Sequence, residues 1–171
     1  PGTEILYPDP GFPPYRDAVR SSGAKPVPYP IREDKNFGFD AEEVLSLITP
    51  ATRLLMINSP ANPTGGVVER GEMEKLAEGL LKHPDVAILS DEIYSHLIFK
   101  GAEFTSFLSF PDLRDRTIIL DGWSKTFAMT GWRLGFGIWP KPLVEIVKKL
   151  ITVDHSCTSV ATQMAGLAAI T

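Results

Sequence analysis

The sequence predicts an α/β fold in which a mostly parallel sheet is covered by helices on both faces. Short apolar runs alternate with helical patterns along the chain, and Pro and Gly clusters separate them. The strand-like runs are too apolar to leave one face in solvent, which is typical of parallel sheets. The 171 residues suffice for one domain, and a hydrophobic content of 43% indicates a packed core. We therefore predict a three-layer α/β/α sandwich.

The first segments are a strand, a helix and a proline-rich extended stretch. Residues Glu4 to Tyr7 form a strand-like run that ends at the breaker cluster 8–14. Tyr15 to Ser22 reads as a short helix, closed by Gly23 as its C-terminal cap. Lys25 to Ile31 is predicted to be extended, but its prolines remove ladder donors. It is therefore either an edge strand or a loop.

A capped helix, a buried strand and a longer helix follow. Asp40 is a candidate N-cap, and Glu43 completes a capping-box pattern three residues later. Arg53 to Asn58 is a short apolar run typical of a strand buried on both faces, and it ends at the turn-rich stretch 59–66. Glu69 to Lys82 is predicted to be a helix with one apolar face in the core.

The remaining segments continue the alternation. Val86 to Leu89 and Thr117 to Leu120 are predicted buried strands, and each ends directly before polar residues. Leu134 to Trp139 is predicted to be extended. Leu143 to Val153 is an amphipathic pattern, and its apolar run from Val144 to Leu150 is predicted to be a core face.

Composition excludes several classes of protein. Lys and Arg total 17 against 21 Asp and Glu, and the basic residues are scattered, so we expect no nucleic-acid partner. The single cysteine, Cys157, forms no intramolecular disulfide and fits a reducing compartment. No apolar run approaches the roughly 20 residues that span a bilayer. We expect a cytoplasmic protein without a membrane partner.

Two common kinds of site are not indicated by motifs. The three histidines are dispersed without ligand spacing to a carboxylate, so no metal site is expected. Neither a G-x-G-x-x-G nor a Walker sequence is present, so a nucleotide-phosphate loop is not supported. The chain opens without methionine and stops inside an Ala-rich helical pattern, Ala161 to Thr171. We expect it to be a piece of a longer protein.

Polar residues follow three of the predicted strands. In open α/β sheets, ligands bind outside the carboxyl ends of the strands. The predicted strand 53–58 leads to Asn62, the strand 86–89 leads to Asp91 and Tyr94, and the strand 117–120 leads to Ser124 and Lys125. We expect all five to lie at one edge of the sheet.

These residue types suit particular chemistry. A lysine desolvated at position 125 would have a lowered pKa, which makes its amine available as a nucleophile or base. Asp91 faces a partly buried edge and needs a cationic or hydrogen-bonding partner. Arg133 offers a planar fork of donors for a phosphate or carboxylate. The Ser124 hydroxyl suits a phosphate contact, because the S-x-x-K spacing of Ser-Lys enzymes is absent.

Taken singly, each residue also has an ordinary structural explanation. Asp91 could cap a helix or pair with an arginine, Lys125 could be a surface lysine, and Arg133 could form an interstrand salt bridge. Glu92 is interpreted as a solvated or structural neighbour of Asp91, because adjacent residues of an extended segment point to opposite sides.

Three motifs together are far more specific. Asn62-Pro63-Thr64-Gly65, then Ser90-Asp91-Glu92-Ile93-Tyr94, then S-K-T-F-A-M-T-G-W-R-L-G from Ser124 to Gly135 occur in the order and approximate spacing of class I/II aminotransferases. The chain resembles the central part of the large domain of a fold-type I enzyme that uses pyridoxal 5'-phosphate (PLP). It is most similar to the aspartate/aromatic aminotransferase group, and the match runs through essentially all 171 residues.

The resemblance implies roles for two catalytic groups. Lys125 would form the internal Schiff base with PLP and then act as the base that moves the substrate's α-proton. Asp91 would pair with the pyridinium nitrogen and keep it protonated, so that the ring accepts electrons.

The resemblance also implies how the cofactor is held. Asn62 and Tyr94 would hydrogen-bond the ring's 3-oxygen, and the family pattern places Tyr94 with the catalytic residues. Ser124 and Arg133 would hold the phosphate. Phe12 lies where the family places an aromatic ring stacked on the pyridine.

The chain departs from the family pattern in two places. Gly122 stands where many relatives carry a serine that contacts phosphate, and Phe12 replaces the usual tryptophan or tyrosine. We expect residues 1–171 to be a fragment of the PLP-binding large domain. The upstream phosphate loop and the C-terminal small domain are expected to be absent, so these residues alone would be poorly active or inactive.

The resemblance implies amino-group transfer from an amino acid to a 2-oxo acid, in a protein that forms homodimers. Two alternatives stay open: β-lyase or cyclase chemistry with the same cofactor, and an aminotransferase-like sensor domain of a transcriptional regulator.

Overall fold

The structure is a computed structural model that describes residues 2–171. The strands are β1 (Glu4–Asp9), β2 (Lys25–Pro30), β3 (Thr52–Asn58), β4 (Ala87–Asp91), β5 (Thr117–Gly122) and β6 (Gly135–Ile138). The α-helices are α1 (Pro14–Ser21), α2 (Ala41–Ser46), α3 (Arg70–Leu80), α4 (Trp123–Thr126), α5 (Lys141–His155) and α6 (Val160–Ile170). Short 3-10 helices span Glu33–Lys35, Phe107–Ser109, Pro111–Arg116 and Thr130–Trp132. Each predicted strand and helix is present, with ends shifted by a few residues.

All six strands belong to one sheet, in the order β2-β1-β3-β4-β5-β6. The first five pair in parallel, and β6 pairs antiparallel with β5. The predicted α/β class with a mostly parallel sheet is confirmed. The proline-rich segment forms the edge strand β2, where its missing N–H groups face no neighbouring strand.

Helices pack on both faces of the sheet. Successive residues of a strand point to opposite sides, so the apolar strands contribute to a core on each face. On one face Leu55 and Ile57 of β3 pack with Met73 and Leu76 of α3. On the other face Met56 packs in a smaller cluster with Tyr7, Tyr15 and Val19, the last two from α1. The sheet is therefore the middle layer of three.

Arg116 joins the end of α3 to the start of β5. Its guanidinium donates to the backbone carbonyls of Leu80 (2.7 Å), His83 (2.7 Å) and Val86. A cation at the C-terminal end of a helix satisfies carbonyls that have no partner within the helix. Burial lowers the pKa of Arg116.

The predicted capping box is half right. Asp40 caps α2, because its Oδ1 accepts from the N–H groups of Glu42 (3.0 Å) and Glu43 (3.1 Å). The Glu43 carboxylate does not return to the backbone of Asp40. It accepts two hydrogen bonds from the Arg32 guanidinium, at 2.6 and 2.8 Å. A bidentate charged pair is stronger than a bond to one N–H, so the arginine takes the carboxylate.

The core face predicted for residues 144–150 is wrong. No residue of α5 is buried, and Ile146 and Leu150 are 57% and 63% exposed. An amphipathic pattern indicates that one side of a helix is apolar, but it does not specify what covers that side. The apolar sides of both α5 and α6 are open within the described residues, with Val160 and Leu167 also exposed.

Among residues 2–171, no helix has both the length and the apolar content that crossing a membrane would require.

Candidate active site

The carboxyl ends of three neighbouring strands lie side by side at one edge of the sheet. Asn58 at the end of β3 is in register with Asp91 at the end of β4, which is in register with Leu120 of β5. A cavity of about 450 Å³ opens at this edge. It is lined by all seven residues that the sequence marks as site candidates: Phe12, Asn62, Asp91, Tyr94, Ser124, Lys125 and Arg133. The structure brings these side chains together, and their roles stay predictions.

Two donors hold the carboxylate of Asp91. The Tyr15 hydroxyl donates to Oδ2 at 2.6 Å, and the N–H of Ile93 donates to Oδ1 at 3.2 Å. Burial raises the pKa of Asp91, the nearby Asp121 acts in the same direction, and the two hydrogen bonds oppose the rise. The ordinary explanations for Asp91 are wrong. Within the described residues it pairs with no arginine, and a turn rather than a helix follows it.

Asn58 connects β4 to the loop that follows β3. Its Nδ2 donates to the carbonyl of Asp91 at 3.1 Å, and its Oδ1 accepts from the N–H of Asn62 at 2.8 Å. The side chain is buried, so both ends of the amide need partners. Asn58 thereby fixes Asn62 relative to Asp91 across the cavity.

Lys125 lies in the single turn of α4, which begins directly after β5. The side chain is half-buried, and its Nζ lies 5.5 Å from the centroid of the Tyr94 ring, within the range of a cation–π contact. Trp123 anchors the turn, because its indole N–H donates to the carbonyl of Gly166 in α6 at 3.0 Å. The amine thus projects into the cavity from a held segment.

Gly122 is required by the close approach of β6. A Cβ atom built at this position would lie 2.8 Å from the Cα of Gly135 and 2.8 Å from the carbonyl oxygen of Leu134. A side chain at this position would therefore require the backbone of β6 to shift. The N–H of Trp123 also donates to the Leu134 carbonyl at 3.2 Å, which closes this junction.

Arg133 stands at the outer side of the cavity in a left-handed conformation. Its φ is 54°, a region that a non-glycine residue occupies at a cost. Its Nη1 donates to the carbonyl of Thr130 at 3.0 Å. An interstrand salt bridge is not formed by this residue within the part of the chain that the structure describes. The exposed guanidinium therefore keeps donors for a ligand.

Phe12 forms the aromatic wall of the cavity. It is 40% exposed, and its ring meets that of Tyr15 edge to face, with centroids 5.5 Å apart and planes at 81°. One face of Phe12 is thus open to a flat ligand, while its neighbour supports it.

Glu92 is a structural neighbour of Asp91, and it is buried rather than solvated. Its Oε1 accepts from the Ser90 hydroxyl at 3.0 Å and from the N–H of Phe107 at 2.9 Å. Burial raises its pKa above the ordinary 4.5, and these hydrogen bonds act against the rise. The carboxylate ties the 3-10 helix at 107–109 to the end of β4.

Four polar residues of the lining are not singled out by the sequence reasoning above: Tyr15, Asn58, Asp121 and Thr130. Asn58 and Asp121 stand at the carboxyl ends of predicted strands, so the same strand-end rule would find them. Tyr15 gives no such signal, because its place beside Asp91 depends on β1 lying next to β3.

A family model described as aminotransferase class I and II matches residues 1–171. The chain belongs to this family. The predicted resemblance is confirmed, and it extends over the whole sequence.

Named relatives of the aminotransferase family agree. The chain is 38% identical over 169 residues to an aspartate aminotransferase of Pyrococcus abyssi. It is 41% identical over 170 residues to a bifunctional aspartate aminotransferase and glutamate/aspartate-prephenate aminotransferase of Petunia hybrida. These alignments cover 99% of this chain, but 43% and 36% of the two relatives. The chain therefore spans less than half the length of these curated relatives.

Solved aminotransferase structures share the fold. The aspartate aminotransferase of Rhizobium meliloti superposes with a TM-score of 0.94 at 35% identity, covering 99% of this chain and 43% of that one. The aromatic aminotransferase of Pyrococcus horikoshii superposes with a TM-score of 0.93 at 40% identity, covering 98% and 44%.

The raised pKa of Glu92 predicts how stability depends on pH. Below pH 4.5 the carboxyl is protonated both folded and unfolded and costs nothing. As pH rises through the raised folded pKa, burial of the charge lowers the free energy of unfolding. Glu92→Gln keeps an oxygen for both donors and carries no charge. We expect the variant to lose less stability between pH 4.5 and 8, measured by urea unfolding of the cofactor-free protein.

Glu78→Gln, at an exposed position of α3, is the matched control and should follow the unchanged protein. If Glu92→Gln and the unchanged protein give parallel curves, Glu92 is not the source of the pH dependence.

Proposed function

We propose that this chain supplies the cofactor-binding part of a PLP-dependent aminotransferase, which moves an amino group from an amino acid to a 2-oxo acid. The observation that carries the proposal is the cavity at the sheet edge. Lys125 and Asp91 enter it from the ends of neighbouring strands, with Arg133 at its outer side. Family membership and named aminotransferase relatives support the same activity.

The donor set of the cavity fits the functional groups of PLP. An aldehyde reacts with an amine, and Lys125 supplies one. A basic ring nitrogen pairs with an acidic group, and Asp91 supplies one. A phosphate group is bound by charged and hydroxyl donors, and Arg133 and Ser124 both line the cavity. Phe12 has an open face for the ring.

The ring oxygen completes the fit. Asn62 and Tyr94 line the same cavity as Asp91 and Lys125, and each carries a hydrogen-bond donor. Asn62 is itself positioned through Asn58. We assign these two side chains to the 3-oxygen of the ring.

When bound, PLP supplies a conjugated ring that accepts the electron pair left on a substrate α-carbon. The chain's residues hold and direct that chemistry. Asp91 would hold a proton at the ring nitrogen, because a desolvated carboxylate is stabilised by a cation beside it. Lys125 would hold the aldehyde carbon through Nζ, with loss of water, and its amine, when free, would remove and return the substrate's α-proton. Ser124 and Arg133 would hold the phosphate.

The partners proposed for the whole protein are an amino acid, a 2-oxo acid and a second copy of itself. The open apolar sides of α5 and α6 support association with further protein surface. We propose residues 1–171 as part of the large, PLP-binding domain of that protein, in the cytoplasm.

A single half-reaction tests the proposed activity. The whole protein, loaded with PLP, is mixed with an amino acid and no 2-oxo acid. We expect one equivalent of pyridoxamine phosphate and one of 2-oxo acid per site, because amino transfer stops when the cofactor has taken the nitrogen. Chromatography of the released cofactor measures it. Catalytic release of ammonia or of an eliminated group would indicate a lyase, and binding without any conversion would indicate a sensor.

The assignment of Lys125 is tested by substitution. Lys125→Ala removes the amine, so borohydride should no longer fix PLP to the protein, and turnover should fall by several orders of magnitude. Lys100→Ala, at an exposed lysine, is the control and should keep both. Mass spectrometry of the reduced peptides locates the modified residue. PLP fixed to a different lysine in the unchanged protein would contradict the assignment.

A further inference from the structure

We propose that Tyr15 is a positioning residue for the proposed cofactor: its hydroxyl fixes the carboxylate of Asp91 so that the remaining lone pairs face the ring nitrogen. The inference rests on the proposed function. It adds a residue from the first helix of the chain to a site built mostly by the segments at the ends of β3, β4 and β5.

The contact is short and is made by buried groups. The Tyr15 hydroxyl lies 2.6 Å from Oδ2 of Asp91, a distance typical of charge-assisted hydrogen bonds. Tyr15 is 8% exposed. Its ring packs against that of Phe12 and belongs to a buried cluster with Tyr7, Val19 and Met56. A tyrosine so confined offers its hydroxyl in one direction only.

The two donors to Asp91 have different freedom to move. The N–H of Ile93 belongs to the turn after β4 and moves with Asp91 itself. Tyr15 belongs to α1, which packs on Tyr7 of β1 and Met56 of β3. The hydrogen bond from Tyr15 therefore fixes the position of the Asp91 carboxylate relative to the sheet. The hydrogen bond from the N–H of Ile93 fixes it only relative to its own turn.

The phenol stays a donor throughout the working pH range. Burial, with the Asp91 carboxylate beside it, raises the pKa of Tyr15, so its proton remains on the oxygen. Its hydrogen bond also lowers the pKa of Asp91 against the effect of burial. The other titratable groups lining this cavity are Tyr94, Asp121, Lys125 and Arg133. Removal of the phenol leaves Asp91 less oriented and more readily protonated.

The chain contains a matched control. Tyr29 is also buried, and its hydroxyl donates to a backbone carbonyl, that of Met56, at 2.8 Å. Burial raises its pKa as well. Tyr29→Phe deletes the same atom from the same core without touching Asp91.

The experiment compares two ligands on three proteins. Affinities for PLP and for its carbon analogue, in which a C–H replaces the ring nitrogen, are measured by dialysis for the unchanged whole protein, Tyr15→Phe and Tyr29→Phe. We expect Tyr15→Phe to bind PLP about tenfold more weakly, because a hydrogen bond to a charged group is lost. The analogue should bind equally to Tyr15→Phe and the unchanged protein, since it presents no nitrogen to Asp91. Tyr29→Phe should bind both ligands as the unchanged protein does.

The outcomes separate the two claims. If the unchanged protein binds PLP and Tyr15→Phe loses affinity equally for PLP and the analogue, Tyr15 has a structural role only and the inference is overturned. Unaltered PLP binding by Tyr15→Phe overturns it as well. If the unchanged protein does not bind PLP, the proposed function fails first.

A second measurement guards against a general loss of folding. In an Asp91→Asn background, Tyr15→Phe should cause no further loss of PLP affinity, because the group through which it acts is already gone. A further tenfold loss in that background would contradict the inference.

Discussion

Parallel pairing of β3, β4 and β5 is the constraint on which the candidate site depends. Parallel strands end at the same edge, so the registers of Asn58 with Asp91 and of Asp91 with Leu120 place residues distant in sequence around one cavity. The antiparallel strand β6 then closes on β5 so tightly that only glycine fits at position 122. The short turn that carries Lys125 starts at that junction. Hydrogen bonding of the sheet thus places the backbone of Lys125 and that of Asp91 at the same edge.

The buried carboxylates at this edge of the sheet lower the stability of the fold. Asp91 and Glu92 are adjacent carboxylates, and burial raises the pKa of both. Glu92 accepts hydrogen bonds from Ser90 and Phe107, whereas the carboxylate of Asp91 lines the cavity and has lone pairs available there. A cationic ring nitrogen beside Asp91 would offset the cost of its charge. Adjacent positions in one motif therefore make different contacts: Glu92 binds protein groups, whereas Asp91 also lines the cavity.

The sequence was sufficient for the fold class, because strands apolar on both faces and separated by helical patterns leave few other arrangements. It was also sufficient to place Asn62, Asp91 and Lys125 at the cavity, because each lies at the end of a strand or a few residues beyond it. It was not sufficient for Tyr15, because nothing local indicates that β1 inserts between β2 and β3. Glu43 shows a second limit, since a motif read along the chain does not reveal competition from Arg32. For α5, the periodicity of the sequence identified an apolar side of the helix but not the part of the protein that packs against it.

We propose above all that Asp91 would pair with the ring nitrogen of PLP and that Lys125 would bind its aldehyde. The most direct measurement is the ¹⁵N NMR shift of ring-labelled PLP bound to the whole protein, followed across neutral pH. The account predicts a protonated nitrogen with a shift that is independent of pH, and a nitrogen that titrates once Asp91 is replaced by Ala. A ring nitrogen that titrates in the unchanged protein as it does in solution would contradict the account.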